Sequence, residues 1–600
     1  MLLSKYTMTQ QKKWHVLNIL QITNDKLRVD KIIALLLENR HITTPEEREC
    51  FLHPRLEKVT MNTVGIDEKQ VDKALQRIAQ AIEKQEQIVV FGDYDVDGIT
   101  GTAILWETLY ALKAKVMPYI PDRVEEGYGL SLAGIATIQS QLSNIKLIIT
   151  VDNGIVANEA VAFANKQGID VIITDHHARG EKDPEAFAIV HTTKLCGAGV
   201  GWLLAKEIFN ENINKKIQKH NDHLELVALA TVADLVPLTG ANRILVKAGL
   251  TALSNTKRAG LLALFHEAGI IKERIGVYEI GHIIAPRLNA MGRMASAMDS
   301  LRLLCTKDAD RAKVLAEKLG RTNRERQLLT QEMSSHAIDK IKNYELRIKN
   351  LLFIYDETYE QGIIGLVASK LVETYYRPAI VLSKGEKHSK ASARSISGFN
   401  IIEFIRNASH LLINAGGHPM AAGFTVETEK LTQLQETLEL LAEEQVTETM
   451  LVRSVKIDCE LPVTMMTQEV YDAMQCLAPF GMANAEPVFA SRNVIIHSLR
   501  TIGQEGKHLK LELGIKNSQL RINAIGFGFG EYREKIKPGD TIDIAYVIDE
   551  NEWNGKKSLQ LKIKDIQIPE FRISLSTSSS PIDLRVEDLS SRPKGRDDNM

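Results

Sequence analysis

The sequence predicts an α/β protein: a mostly parallel-sheet domain joined by a long helix to a smaller α/β domain, followed by a β-barrel of the OB type. Three observations carry this. From residue 67 to about 270, apolar strand-like runs alternate with amphipathic helical stretches, which is how a chain builds a mostly parallel sheet. Residues 308 to 345 are rich in Lys, Arg, Glu, Gln and Leu and contain no proline, as suits one long helix. From about 450 to 568 short β-type runs succeed one another, the pattern of a small barrel.

Six hundred residues exceed a single core, and ordinary domain sizes give roughly three to four units. Residues 1–66 read as a helical adaptor packed on the catalytic unit. Within it Val29 to Glu38 carries an apolar face, and Thr44-Pro45 opens a capped helix. The unit 67–300 then alternates: helix 69–84, strand 87–91, helix 99–112, strand 115–120, helix 131–141, strand 145–151, helix 156–167 and strand 170–174. A connecting helix lies within 301–348. The second α/β unit, 349–447, has strands at 350–355 and 377–382, Gln361-Gly-Ile-Ile-Gly365 before a helix, and the glycine-rich run Gly416 to Gly423. In the barrel, 448–569, the runs 494–497, 509–513 and 541–546 read as strands. The tail 570–600, with its serine run at 576–580, is expected to be disordered for want of large apolar groups.

Composition narrows the function. With 74 Lys and Arg against 76 Asp and Glu the net charge is −2, so any anion site must be local. The five cysteines are scattered without a CxxC pair, which excludes a zinc ribbon or disulfide frame and points to a reducing compartment. The amino terminus lacks a sustained apolar leader, and no run approaches the roughly 20 apolar residues of a membrane span. A soluble, cytoplasmic monomer with no membrane partner is expected.

The chemistry lies directly behind the strands. Gln87 to Phe91 is followed by Gly-Asp-Tyr-Asp-Val-Asp-Gly98, the next run ends in Asp152-Asn153-Gly154, and the third ends in Asp175-His176-His177; Asp234 follows later. Three strands thus deliver acid or imidazole to one rim, where open α/β sheets place their ligands. An EF-hand begun at Asp93 fails, because its twelfth position is Ile104 and a strand precedes it. Taken alone, Asp152-Asn153-Gly154 would read as a turn. Together, so many acids and imidazoles would repel unless cations neutralised them. Oxygen ligands with one or two imidazoles suit Mn²⁺ or Mg²⁺, with two ions expected. Such a pair polarises a phosphoryl oxygen and acidifies water, which is phosphodiester chemistry. Neither GxSxG nor a Walker-type loop is present to suggest otherwise.

These motifs, in this order, resemble the DHH phosphoesterase superfamily, whose name is the triplet at 175–177, and within it the RecJ-type single-stranded-DNA exonucleases. Further similar segments are Tyr119 to Gly129, Gly197 to Gly201, Thr231 to Leu238, Pro286 to Arg293, Ser392 to Ser395 and Gly416 to Gly423. The resemblance covers about residues 10 to 565. It implies that 67–300 is the DHH domain and 349–447 the DHHA1 substrate-binding domain. It also implies that Asp95, Asp97, Asp152, His176 and Asp234 hold metal, with Asp152 bridging and Asp93 an additional or outlying ligand. Asp152 and His177 would be catalytic, His177 facing the scissile phosphate while Asp175 orients His176. Arg123, Tyr128, Arg287, Arg293, Ser392 and Arg394 would hold the strand's 5′ end and backbone, and a turn at Gly416-Gly417-His418 would offer N–H groups to a phosphate. Guanidinium forks, a hydroxyl and a stacking ring suit those tasks; outside this context Arg394 would read as a surface ion pair and Tyr128 as packing.

Two departures stand out. Tyr359-Glu360-Gln361 occupies the place of an aromatic-histidine pair, and the segment from Ala178 to Cys196 is short, with Ile189-Val-His-Thr-Thr replacing the usual Asn-Pro. The activity implied is 5′-to-3′ digestion of single-stranded DNA to 5′-mononucleotides in recombination and repair, with a single-strand-binding protein or helicase as partner. Two alternatives stay open: a phosphodiesterase of short oligonucleotides or cyclic dinucleotides, and a non-catalytic DNA-binding scaffold.

Overall fold

The run Gln87–Phe91 is buried at every position, because a strand covered by helices on both faces has no solvent side to make polar. In the computed structural model it lies second in a five-stranded, all-parallel sheet ordered Val116–Tyr119, Gln87–Phe91, Ile145–Val151, Asp170–Asp175, Ala188–His191. Alternate residues feed two cores: Ile88 and Val90 pack with Ile99 and Ile104 of helix Val96–Ala111, while Val89 and Phe91 pack with Ile135 and Val161 on the other face. The structure describes residues 12–19, 29–123, 125–211, 223–343, 350–516, 518–553 and 555–569. The expected disordered tail, 570–600, lies outside them.

The expected connecting helix is Ala309–Asn343, 35 residues and about 50 Å long. Beyond it a second five-stranded sheet is ordered Leu412–His418, Ala421–Glu427, His388–Arg394, Ala379–Ser383, Leu352–Asp356, antiparallel but for its last pair. The glycines at 416 and 417, expected in a turn, instead end the edge strand Leu412–His418 and pair with Gly423 and Ala422. The chain turns at Pro419-Met420, one step later.

A second compact unit holds the barrel. Its strands run Phe489–Ile502, His508–Gly514, Ile522–Gly526, Lys556–Gln567, Thr541–Trp553, and the first pairs with the last to close the ring. The amino-terminal residues depart from expectation. Lys13–Val16 is not helical but a strand, parallel to Ser454–Ile457, and it belongs with the barrel rather than with the catalytic unit. Trp14 explains the attachment: its Nε1 donates to Asp565 at 2.7 Å and the Arg492 guanidinium lies 4.6 Å from its ring. Residues 472–487, within the stretch expected to form the barrel, group instead with the first unit, where Arg243 donates to the carbonyls of Cys476 and Leu477. No helix among the described residues is long and apolar enough to cross a membrane.

Removing the indole should loosen the barrel unit alone. Trp14→Ala is expected to lower its stability by roughly 2 kcal/mol, read as an earlier urea transition for that unit with the first unit's transition unchanged.

Candidate active site

Every strand of the parallel sheet that carries a motif ends at the same rim. Asp93 follows Gln87–Phe91, and Asp95 caps helix Val96–Ala111, its Oδ1 accepting from the N–H groups of Asp97 (2.9 Å) and Gly98 (3.3 Å). Asp97 is gripped by a second helix start: its two oxygens accept from the N–H groups of Gly197 (2.6 Å) and Ala198 (2.7 Å). Each oxygen keeps a lone pair for a further partner. Asp152 takes a left-handed φ of 63°, a costly conformation for a residue with a side chain. Asn153 holds it there, donating to the carbonyls of Val151 (2.8 Å) and Phe91 (3.3 Å) and accepting from Leu130 N–H (3.0 Å).

Asp175 corrects one expectation. It orients His177, not the His176 ring: its Oδ1 lies 2.8 Å from His177 Nδ1, and it also accepts from both histidine N–H groups. Burial opposes charge on His177, but the hydrogen bond and charge of Asp175 outweigh it and raise its pKa above the ordinary histidine value. His177 Nε2 lies 3.1 Å from the Tyr128 hydroxyl, which donates to the Asp152 carbonyl at 3.0 Å. His176 faces the acids, with Nε2 3.1 Å from Asp152, 3.7 Å from Asp97 and 3.7 Å from Asp234. Asp234 arrives as the C-cap of helix Leu224–Ala233.

Three overlapping groups result, each with its ligand atoms within 4.8 Å of one another: Asp93, Asp95 and Asp152; Asp152, His176 and His177; Asp97, His176 and Asp234. These residues fit divalent cations. Asp93 Oδ1 and Asp152 Oδ1 are buried without a hydrogen-bond partner. Burial and the neighbouring carboxylates push Asp93, Asp95 and Asp152 above the usual carboxylate range and Asp234 up to about 9. Bringing a cation among them reverses that penalty. The one thiol nearby, Cys196, is held protonated by burial and contacts Thr231, so the donor set is oxygen and imidazole, as Mn²⁺ and Mg²⁺ prefer.

A cationic flank adjoins the acids. The Arg123 guanidinium lies 4.9 Å from the Tyr94 ring, Arg293 donates to Gly362 O at 3.0 Å, and Arg394 donates to Ser392 Oγ at 3.1 Å. Burial and the repulsion of Arg123, Arg326 and Arg394 bring Arg293 down to about 10. The sequence reading missed Arg326. It sits on the connecting helix with its Nε buried and unpartnered, one turn after Asn323, whose buried Oδ1 is likewise unpartnered. No motif marks it; a polar pair at helical spacing on the buried side of a charged helix was the available signal. Arg287 is not brought to this cluster, since Glu267 engages it at 2.8 Å. Tyr128 is half-exposed, edge-on to Tyr94 and His177. Gly416, Gly417 and His418 are exposed along their edge strand.

The two departures have local answers. Tyr359 is buried with its ring edge-on to His336, 5.7 Å away, so a histidine reaches this aromatic from the connecting helix. His191, in the shortened segment, donates from Nε2 to the His177 carbonyl at 2.7 Å.

Three family models match the chain: the DHH family N-terminal domain over 87–231, the DHHA1 domain over 348–444 and the RecJ OB domain over 457–565. The single-stranded-DNA-specific exonuclease RecJ of Bacillus subtilis is 36% identical over 560 residues, 92% of this chain and 69% of its own length. That of Salmonella typhimurium is 32% identical, covering 83% and 90%. The crystal structure of Thermus thermophilus RecJ with Mn²⁺ matches with a TM-score of 0.78 at 28% identity, over 94% of this chain and 80% of that one.

Backbone contact at the rim leaves no room for a side chain at 197, where an added Cβ would lie 2.5 Å from Asp152 Cβ. Gly197→Ala is therefore expected to displace Asp152 and weaken Mn²⁺ binding by roughly tenfold or more, measured by calorimetry on the folded variant.

Proposed function

The chain belongs to the RecJ family of single-stranded-DNA-specific exonucleases, and on that premise we propose that it digests single-stranded DNA from the 5′ end to 5′-mononucleotides in recombination and repair. One observation carries the reading: three overlapping acid and imidazole groups of metal-binding size stand beside a set of guanidiniums. Asp95, Asp97, Asp152, His176 and Asp234 would hold the ions, with Asp152 central and Asp93 completing the set. Bound there, divalent ions neutralise charge on the phosphoryl group and acidify the attacking water.

The protein's own groups bind and orient. His177, held by Asp175 and Tyr128, stands as the imidazole that faces the scissile phosphate. Arg123, Arg293, Arg394 and Ser392 hold the 5′ end and the adjoining backbone, where planar forks match phosphate oxygens. The exposed part of the Tyr128 ring offers a face for a base. Gly416, Gly417 and His418 extend the path with backbone N–H groups at a sheet edge. The protein acts as a cytoplasmic monomer, on strands exposed by a helicase or coated by a single-strand-binding protein.

Digestion of end-labelled single and double strands with Mn²⁺ tests this. The single strand is expected to lose its 5′ label first, as a mononucleotide, and the duplex to resist; earlier loss of a 3′ label would refute the polarity. Asp152→Ala is expected to lower kcat by on the order of a thousandfold or more, and chelation should stop the wild type.

A further inference from the structure

Three of the acids at the site, Asp95, Asp97 and Asp234, ride on two helices rather than on strands, and those helices are tied together at their far ends. Helix Val96–Ala111 starts at the site with Asp97 in its first turn, while helix Leu224–Ala233 runs toward the site and ends on Asp234. Glu107 lies ten residues beyond Asp97 (97 to 107), and His223 eleven before Asp234 (223 to 234). At about 1.5 Å per residue both spans are roughly 15 to 17 Å. The two helices therefore match in length between the acids at one end and the Glu107–His223 contact at the other.

That contact is a buried charge network. Glu107 Oε2 is 2.8 Å from His223 Nε2, and Arg258 grips the same carboxylate with both terminal nitrogens, at 2.6 and 3.1 Å. Arg258 also reaches Glu225 at 3.2 Å and donates to Leu304 O at 2.8 Å. The side chains of His223, Arg258 and Glu225 are 3%, 8% and 9% exposed and that of Glu107 21%. Burial alone would raise Glu107, yet the His223 and Arg258 hydrogen bonds hold it down to about 2. Buried ion pairs of this kind are weak sources of stability; their best-attested use is to specify register.

We propose that Glu107 is a positioning residue whose network sets the axial register of these two helices, so that Asp97 and Asp234 reach the same ion. The proposal rests on the two-ion reading of the site and sharpens it. Asp234 belongs to only one of the three groups, with Asp97 and His176, whereas the group of Asp93, Asp95 and Asp152 takes nothing from its helix. Asp95 caps the same helix that carries Asp97, so only the group of Asp97, His176 and Asp234 depends on the register between the two helices, and loosening the clamp weakens that ion more than the other.

Mn²⁺ titration calorimetry on full-length Glu107→Gln, alongside a thermal melt, tests this. Wild type is expected to show two sites, and the variant to keep one while the other weakens by roughly tenfold or more. Arg258→Lys, which keeps the charge but loses the two-pronged grip, should show the same selective loss to a smaller degree, and serves if Glu107→Gln does not fold. Unchanged affinities, or equal weakening of both sites, would overturn the register role. Two wild-type sites with an unaltered variant would leave the exonuclease reading intact, whereas a wild type that takes up no Mn²⁺ would sink the two-ion reading and this proposal with it.

Discussion

Carboxylates buried side by side must be neutralised, and that constraint organises the first unit. Burial and the repulsion of neighbouring carboxylates raise the proton affinity of Asp93, Asp95, Asp152 and Asp234, and one oxygen each of Asp93 and Asp152 is buried without a hydrogen-bond partner. A fold that merely tolerated these acids would have supplied donors to all of them. This one supplies them selectively: Asp97 is fixed by two N–H groups and Asp175 by four hydrogen bonds to the loop and histidines, while the inward oxygens of Asp93 and Asp152 are left for cations. The strained φ of Asp152 belongs to the same design, since the left-handed turn carries the carboxylate off the strand end and into the cluster.

A near-zero net charge conceals a division between acid rim and cationic flank. Arginines placed next to unneutralised carboxylates would ordinarily pair with them and close the site. Here each is restrained: Arg293 by Gly362 O, Arg394 by Ser392 and the Ala393 carbonyl, Arg123 by the Tyr94 ring. Burial, and after it their repulsion of one another, lowers the pKa of Arg293, and that repulsion is the mirror image of the acids'. On the proposed path, a strand lying across both would satisfy the two at once, with cations relieving one side and phosphates the other.

What was legible in the sequence follows from this. Strands buried on both faces spell themselves out as apolar runs, and the acids at their ends stand in short motifs, so the sheet, its rim and most ligand candidates could be read directly. Contacts that depend on three-dimensional neighbours could not. Whether Asp175 turns to the next residue or the one after it is decided by a side-chain rotamer, not by spacing. Arg326 sits among paired charges on a long helix, where only its spacing from Asn323 sets it apart from its neighbours. Arg287 and Arg293 share one motif but face different partners, Glu267 and Gly362. The amino-terminal strand is the exception that could have been found: Lys13–Val16 alternates exposed and half-buried residues with a period of two, a signal too short to outweigh the helical stretch after it.

Strands and helices place side chains with different precision, and this explains why the molecule carries a second buried charge network far from the first. Ladder hydrogen bonds fix neighbouring strands against sliding, so Asp93, Asp152 and Asp175, set at or just beyond strand ends, inherit their relative heights from the sheet. Packed helices have no such ladder. Ridges in grooves set a crossing angle but resist axial slip only through side-chain shape, and such a slip would move Asp97 relative to Asp234. A guanidinium fork on Glu107, with His223 on the same carboxylate, supplies the missing directional contact. The two networks differ in the way their tasks require: at the rim charges are left unbalanced to attract ions, and at the far end they are balanced so that the helices stay where the ions need them.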